Sequence, residues 1–225
     1  MAGAKIELNG GSLEESDNLR IMKTSCLSFL ALVGMAGAMV AAPINFDFKD
    51  PKGVNNAAFK LDAPLESVSG SANGISGTVT FDPENPASVK GRIVVAASSL
   101  HVGNPMMKEH LHSSNWLDVA KFPEITFETV SVRNARTEGT VTTADLTGKL
   151  TIKGTTKELT VPVKLTYLKD KLKDRFPALS GDLLVLRANF VVKRNDFGIQ
   201  SGQYEDKVSN EIELSLSIAG MAAKK

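Results

Sequence analysis

The sequence predicts an all-β protein, an extended eight-stranded antiparallel barrel of the up-and-down type with one short helix. Apolar and polar residues alternate with a period of two along most of residues 43–225, which is typical of strands that bury one face. Short turns join most of these runs, and this favours antiparallel pairing over crossover helices. Closing such a sheet into a barrel removes its two edges.

The predicted strands follow one another from Phe59 to Ile218. Pro162 cannot donate a backbone hydrogen bond, so the sixth strand is expected to lie at an edge or to carry a bulge. The last strand has the most regular alternation, with Leu214 and Leu216 on its apolar face. The alternating runs cover residues 59–61, 75–81, 89–100, 125–127, 140–151, 159–167, 184–192 and 208–218.

One segment, residues 106–119, departs from the two-residue period. Met107, Leu111 and Ser114 are at helical spacing, and the fourth strand begins soon after them. We interpret this segment as a lid over the mouth of the barrel, in which a lone tryptophan caps the interior or anchors the packing. The predicted lid residues are Leu111, Trp116 and Leu117.

The inward face of the strands defines the candidate binding residues. An eight-stranded barrel is either filled by its own side chains or holds one small ligand. Small inward residues such as Ala188 permit a cavity, whereas dense packing is the usual state of a protein interior and is favoured by the pattern alone. The expected barrel-lining residues are Phe81, Ile93, Val95, Phe127, Ile152, Val163, Leu186, Ala188, Phe190 and Leu214.

The first 42 residues do not continue the strand pattern. Met22-Lys23 precedes an apolar run from Cys26 to Val40, and small residues follow, which is typical of a signal peptide over residues 22–42. The run is shorter than the roughly 20 residues that a membrane span needs. We therefore expect a periplasmic or secreted protein with no stable membrane insertion after cleavage.

Charge and cysteine content indicate the bounds of the domain and exclude some classes of partner and chemistry. Residues 1–21 carry more acidic than basic residues and are interpreted as a mis-assigned or disordered extension, so the barrel domain is expected over residues 43–225. The net charge is +1 and no long run of like charges occurs, so nucleic acid is not an expected partner. Cys26 is the only cysteine, and its removal with the signal peptide excludes thiol chemistry in the mature chain.

The search for catalytic motifs is negative. The sequence contains neither Gly-x-Ser-x-Gly nor His-Glu-x-x-His, so neither an enzyme nor a cofactor is expected. His101, His110 and His112 are the only histidines. They either bind a metal together with Glu109 or Asp118, or form hydrogen bonds around the lid. We favour the second interpretation, because on a helix His110 and His112 point about 200° apart.

Two residues are candidates for contact with a polar headgroup, His110 and Arg194. Arg194 is in phase with Phe190 and Val192, so its side chain could point inward at the end of the barrel. The alternative is an ion pair at the rim with a carboxylate such as Asp196.

Three blocks of sequence, residues 102–127, 148–157 and 194–199, combine strand alternation with specific turns. The second reads Gly-Lys-Leu-Thr-Ile-Lys-Gly-Thr-Thr-Lys and the third reads Arg-Asn-Asp-Phe-Gly-Ile. In this order the blocks resemble the YceI-like family of polyisoprenoid-binding, lipocalin-like proteins. The resemblance implies a periplasmic or secreted barrel whose long apolar pore binds an isoprenoid, an isoprenoid quinone or a fatty-acyl chain.

Three classes of function are compatible with these observations. A carrier for an apolar lipid leads because of the resemblance. An enzyme acting on an isoprenoid lipid would need a buried polar cluster, and a stress-related structural barrel would have a packed core without a cavity. An apolar lipid is thus the expected partner. The sequence leaves open whether the protein also forms a homodimer.

Overall fold

The computed structural model describes residues 42–224, so the predicted extension and nearly all of the predicted signal peptide lie outside it. No helix in this part of the chain is long and apolar enough to cross a membrane. Short 3₁₀ helices lie at Pro86–Ser88, Ala97–Ser99 and Arg194–Phe197. The strands and α-helices are β1 (Ile44–Asp47), β2 (Asn56–Asp62), β3 (Ser67–Ala72), β4 (Ile75–Phe81), β5 (Lys90–Ala96), β6 (Leu100–Val102), α1 (Pro105–His112), β7 (Glu124–Glu138), β8 (Val141–Ile152), β9 (Thr155–Leu168), α2 (Leu172–Arg175), β10 (Gly181–Lys193) and β11 (Glu211–Ala223).

Eight of the strands form a closed antiparallel barrel, which confirms the predicted fold class. Their order is β1, β4, β5, β7, β8, β9, β10 and β11, and β11 pairs back with β1 through Asp47 and Met221. From β7 to β11 the strands form a meander in which neighbours in sequence are neighbours in the sheet. The remaining strands β2, β3 and β6 extend from the same edge of β11 as a side sheet.

The strand that closes the barrel lies outside every run that the alternation revealed. The predicted first strand around Phe59 is β2, which pairs with the first half of β11 and leads into the side sheet. Closure comes from β1, which pairs with β4 on one side and with β11 on the other. A strand from Ile44 to Asp47 has too few residues to show a period.

Pro162 lies where β9 loses one of its two neighbours. β9 pairs with β8 along almost its whole length, but its pairing with β10 ends at Val163 and Ala188. The edge position that the missing N–H of Pro162 predicts is therefore present. Beyond it the 3₁₀ helix at Arg194–Phe197 packs against β9, and Phe197 is buried there.

The predicted helical segment contains α1. Asn104 caps this helix, because its side-chain oxygen accepts a hydrogen bond of 2.9 Å from the backbone N–H of Met106. Pro105 suits the first turn, where an N–H would have no partner within the helix. The helix ends at His112, and residues 113–123 lead through turns into β7.

The end of the barrel away from α1 is solid. Phe46, Phe48 and Leu184 have no exposed surface there, and Phe81 and Ile218 are buried beside them. These residues form one apolar cluster that spans the inside of the barrel. The solid end therefore supplies the dense core that a folded domain needs.

A buried carboxylate group closes the solid end. Asp50 accepts hydrogen bonds from the backbone N–H groups of Lys52, Val54 and Asn55 and forms an ion pair of 2.7 Å with Arg175. Burial by itself raises the pKa of a carboxyl group, but these donors outweigh it and lower the pKa of Asp50. The charged form of Asp50 therefore belongs to the folded state.

Candidate functional site

The half of the barrel nearest α1 is hollow. A deep cavity of about 140 Å³ lies between the strands, and a wider cleft of about 720 Å³ lies beneath α1. The two spaces share wall residues and therefore adjoin, and we call them the deep cavity and the mouth cleft of one tunnel. The shared residues are Phe59, Leu100, Ile125, Ile152 and Leu214.

The wall of the deep cavity is apolar. Thr126 and Thr129 carry its only polar side chains, and none of the described residues that line it is charged. Such a wall cannot orient a polar molecule by paired hydrogen bonds. It can bury a hydrocarbon chain, and each methylene removed from water contributes about 0.8 kcal/mol.

The structure brings together all but one of the predicted barrel-lining residues. Phe81 is the exception: it lies in the solid half, where its ring centroid is 6.1 Å from that of Tyr167. Contact with a lipid stays a prediction for the others. The predicted residues that line the deep cavity are Ile93, Val95, Phe127, Ile152, Val163, Leu186, Ala188, Phe190 and Leu214.

Sequence reasoning missed several wall residues. Leu146, Val161, Leu165 and Leu216 line the deep cavity and share the inward parity of predicted neighbours, so a complete application of the alternation finds them. Leu100 belongs to the short strand β6, and only its pairing with β3 brings it to the wall.

Two glycines leave room for aromatic rings to lie against the sheet and not across the deep cavity. A Cβ on Gly148 would lie 2.3 Å from the Cζ atom of Phe127, and a Cβ on Gly70 would lie 2.4 Å from the Cζ atom of Phe59. Each ring therefore occupies the space that a side chain at the glycine would fill. Phe127 and Phe59 line the deep cavity with their rings held back against the sheet.

The predicted lid residues lie at the mouth cleft. Leu111, Trp116 and Leu117 all line it, and Leu117 is the most buried of the three. Nε2 of His112 donates a hydrogen bond of 2.7 Å to the backbone oxygen of Leu100, which fixes the end of α1 to β6. The segment thus covers part of the opening, as a lid requires.

Arg194 has a different role from the two that the sequence suggested. It is 1% exposed, and its guanidinium N–H groups donate to the backbone oxygens of five residues, among them Ser209, Ile199 and Val208. A guanidinium group has five N–H donors, so none remains for a headgroup or for Asp196. Burial lowers the pKa of Arg194 and the nearby Glu205 carboxylate raises it, with burial the larger effect.

Arg194 instead builds one side of the mouth cleft. Its hydrogen bonds hold residues 199–209 in a compact loop. Gln200, Tyr204 and Lys207 from this loop line the cleft opposite α1. No sequence pattern indicates these residues, because they lie in an irregular segment after the third sequence block.

The three histidines have separate surroundings. His110 lines the mouth cleft, as a headgroup contact requires, and that contact stays a prediction. Nε2 of His101 lies 3.3 Å from Oγ of Ser71, and Nε2 of His112 contacts the backbone oxygen of Leu100. Within residues 42–224, no three His, Cys, Asp or Glu side chains are grouped as a metal site would need.

Comparison with known sequences identifies relatives of this chain. A family model described as the YceI-like domain matches residues 46–219. The chain is 30% identical over 199 residues to Protein YceI of Escherichia coli O157:H7, covering 88% of this chain and 96% of that protein. It is also 30% identical over 206 residues to Protein YceI of Salmonella newport, covering 90% and 100%.

Solved structures share the same fold. BcnA of Burkholderia cenocepacia has a TM-score of 0.57 and 23% identity, covering 73% of this chain and 94% of that chain. A polyisoprenoid binding domain from Saccharophagus degradans, implicated in plant cell wall breakdown, has a TM-score of 0.58 and 10% identity. That match covers 80% of this chain and 99% of that chain. At these identities the likeness concerns the fold alone.

Proposed function

Because the chain belongs to the YceI-like family, we propose that it binds a long apolar lipid in the barrel tunnel and acts as a carrier for it. The ligand is an isoprenoid, an isoprenoid quinone or a fatty-acyl chain. The observation that carries this proposal is a deep cavity with an uncharged wall that adjoins the mouth cleft and shares five wall residues with it. A chain that enters this space exchanges water for aliphatic and aromatic side chains along its length.

The distribution of polar groups supports binding rather than catalysis. A reaction on the buried part of a lipid needs an acid, a base or a nucleophile inside the barrel. His110, Tyr204 and Lys207 lie instead around the mouth cleft, where they suit the polar end of a lipid. The polyisoprenoid ligand of the Saccharophagus degradans domain makes an isoprenoid the first chain to test.

Native mass spectrometry of the purified protein, followed by organic extraction, tests the proposal. We expect a co-purifying lipid, or uptake of farnesol or palmitate by the delipidated protein. Ala188→Trp should lower the occupancy because it fills the deep cavity. Val191→Trp, on the exposed face of the same strand, should leave the occupancy unchanged. A wild-type protein that neither carries nor takes up any of these lipids would point to a structural barrel instead.

We also propose that the protein works in the periplasm or outside the cell. The signal-peptide pattern of residues 22–42 supports export, and a barrel without cysteine does not depend on a disulfide there. N-terminal sequencing of the exported form should begin between Met39 and Pro43. Recovery of a cytoplasmic mature protein that retains Met1 would contradict export.

A further inference from the structure

The deep cavity ends abruptly on the strands that surround it. On β4 the inward residue Val79 lines the cavity, whereas the next inward residue, Phe81, does not. On β9 the same change occurs between Leu165 and Tyr167. The hollow and the solid halves therefore meet between successive inward residues of one strand.

The neighbouring strands repeat this change. On β10 Leu186 lines the cavity and Leu184 is fully buried, and on β11 the change lies between Leu216 and Ile218. Successive inward residues on a strand are one layer apart, so these steps together mark a single layer across the barrel. We call this layer the floor and define it as Phe46, Phe81, Tyr167, Leu184 and Ile218.

Aromatic contacts and one hydrogen bond hold the floor in place. The ring centroid of Tyr167 lies 6.1 Å from that of Phe81 and 6.3 Å from that of Phe46, with the rings tilted or edge to face. The hydroxyl of Tyr167 donates a hydrogen bond of 2.8 Å to Oδ2 of Asp182. Asp182 is itself buried and accepts from the backbone N–H of Asp170. A ring fixed at its polar end cannot swing aside to lengthen the cavity.

We propose that the floor sets the chain length of the lipid. The chain binds with its apolar end innermost, and that end stops against Phe81 and Tyr167. This inference rests on the proposed function, because it names the residues that determine specificity in the same tunnel. A chain longer than the deep cavity finds no further apolar surface below the floor, so its excess length stays in the mouth cleft.

A series of probes of increasing length tests the inference on the delipidated full-length protein. Straight-chain fatty acids form one series, and geraniol, farnesol and geranylgeraniol form a second. Affinity should rise about fourfold per buried methylene, the factor that corresponds to about 0.8 kcal/mol, and should become constant once the chain reaches the floor. The length at which the affinity stops rising is the measured quantity.

Two opposite changes at the floor should move this length in opposite directions. Phe81→Ala, or the milder Phe81→Leu, opens the floor and should shift the limit to longer chains. Removing one layer of a tilted strand adds at most about 5 Å of depth. Leu186→Phe places a ring one layer above the floor and should shift the limit to shorter chains. Phe197→Ala is the matched control, because Phe81 and Phe197 are each 2% exposed but Phe197 does not line the tunnel.

The outcomes separate this inference from the proposed function. Opposite shifts for Phe81→Leu and Leu186→Phe, with an unchanged limit for Phe197→Ala, support the floor as the determinant of length. Binding of the probes with the same limit in every variant overturns the role of the floor and leaves lipid binding intact. If no probe of any length binds the wild-type protein, the proposed function fails and the inference fails with it.

Discussion

The hollow and the solid halves of the barrel share one pattern of alternation but differ in how their inward residues pack. Phe127 in the hollow half and Phe81 in the solid half both point inward. The ring of Phe127 lies in the space left by Gly148, whereas the ring of Phe81 packs against Tyr167 across the interior. Parity therefore determines which residues face inward, and the partner of each large side chain determines whether the interior is empty.

The two ends also differ in the charged group that stabilises them. At the solid end the Asp50 carboxylate accepts hydrogen bonds from backbone N–H groups and forms an ion pair with Arg175. At the hollow end the Arg194 guanidinium group donates to backbone oxygens of the loop at residues 199–209. The hollow end encloses a cavity where the solid end has a packed core, so we expect the order of the hollow end to depend more strongly on its buried charge.

Arg194→Ala should have the largest effect on stability. It leaves several buried carbonyl groups without donors, and we expect the free energy of unfolding to fall by about 3 kcal/mol or more. Urea denaturation measures the change. Arg194→Lys keeps the charge but has fewer donors, so it should recover only part of the loss. A loss well under about 1 kcal/mol for Arg194→Ala would show that water readily replaces the guanidinium group.

A tryptophan placed at the level of the floor and another placed above it compare the two halves directly. Ala144 and Ala188 are equally small and are 6% and 5% exposed, but only Ala188 lines the deep cavity. Ala144→Trp should overpack the core and cost about 1–3 kcal/mol or more. Ala188→Trp should cost clearly less in delipidated protein while it displaces lipid. Thermal melts read beside lipid occupancy test this, and equal losses of stability would mean that the interior near Ala188 is packed as well.

Low pH should lower the free energy of unfolding through protonation of Asp50 at the solid end. Its pKa is lower in the folded state than in the unfolded chain, where it is about 3.9, so its contribution is complete above that value and is lost as the pH falls through the folded pKa. The free energy of unfolding should therefore fall more steeply in the wild type than in Asp50→Asn as the pH drops below about 4. Parallel curves for the two proteins would show that Asp50 has the same pKa in both states.

The smallest effect is expected at the lid. Leu111→Asp places a charge on the face of α1 that lines the mouth cleft, which should loosen the segment and leave most strands protected. Hydrogen exchange should show faster amide exchange confined to residues 106–119 and their neighbours. Lys108→Asp is the control, since Lys108 lies on the same helix but is exposed and does not line the cleft. Loss of protection throughout the barrel would show that Leu111 is part of the core.

Sequence patterns predict which residues line the tunnel, but they do not predict where along the barrel the tunnel ends. Val163 and Leu214 were predicted to line the interior because strand parity is a local property. The position of Phe81 in the solid half depends on Tyr167, a contact between β4 and β9 that no local pattern contains. The role of Arg194 is hidden for a related reason: its partners are backbone oxygens of a folded loop, and no pattern of side chains indicates them.

The loop at Arg194 and the seam at β1, where β1 pairs with β4 and β11 and closes the barrel, are both elements that sequence patterns do not predict. β1 is recognisable only from its partners, because its four residues are too few to show a strand period. Its pairing of Asp47 with Met221 joins segments that are far apart in sequence. Such elements are stabilised by the rest of the fold rather than by their own propensity, so the sequence alone does not reveal them.

The same seam has a consequence for folding. Two-residue turns join β7 to β8 and β8 to β9, so we expect these three strands to pair early, whereas β1 and β2 must return from the other end of the chain to dock on β11. Contacts between such distant segments form slowly, because the entropy of closing a long loop is lost first. We therefore expect the edge of β11 to remain open until late, so that a lipid can be enclosed from the side. Refolding in the presence of farnesol should then load the barrel faster than adding farnesol to folded protein, and equal rates would favour entry through the mouth.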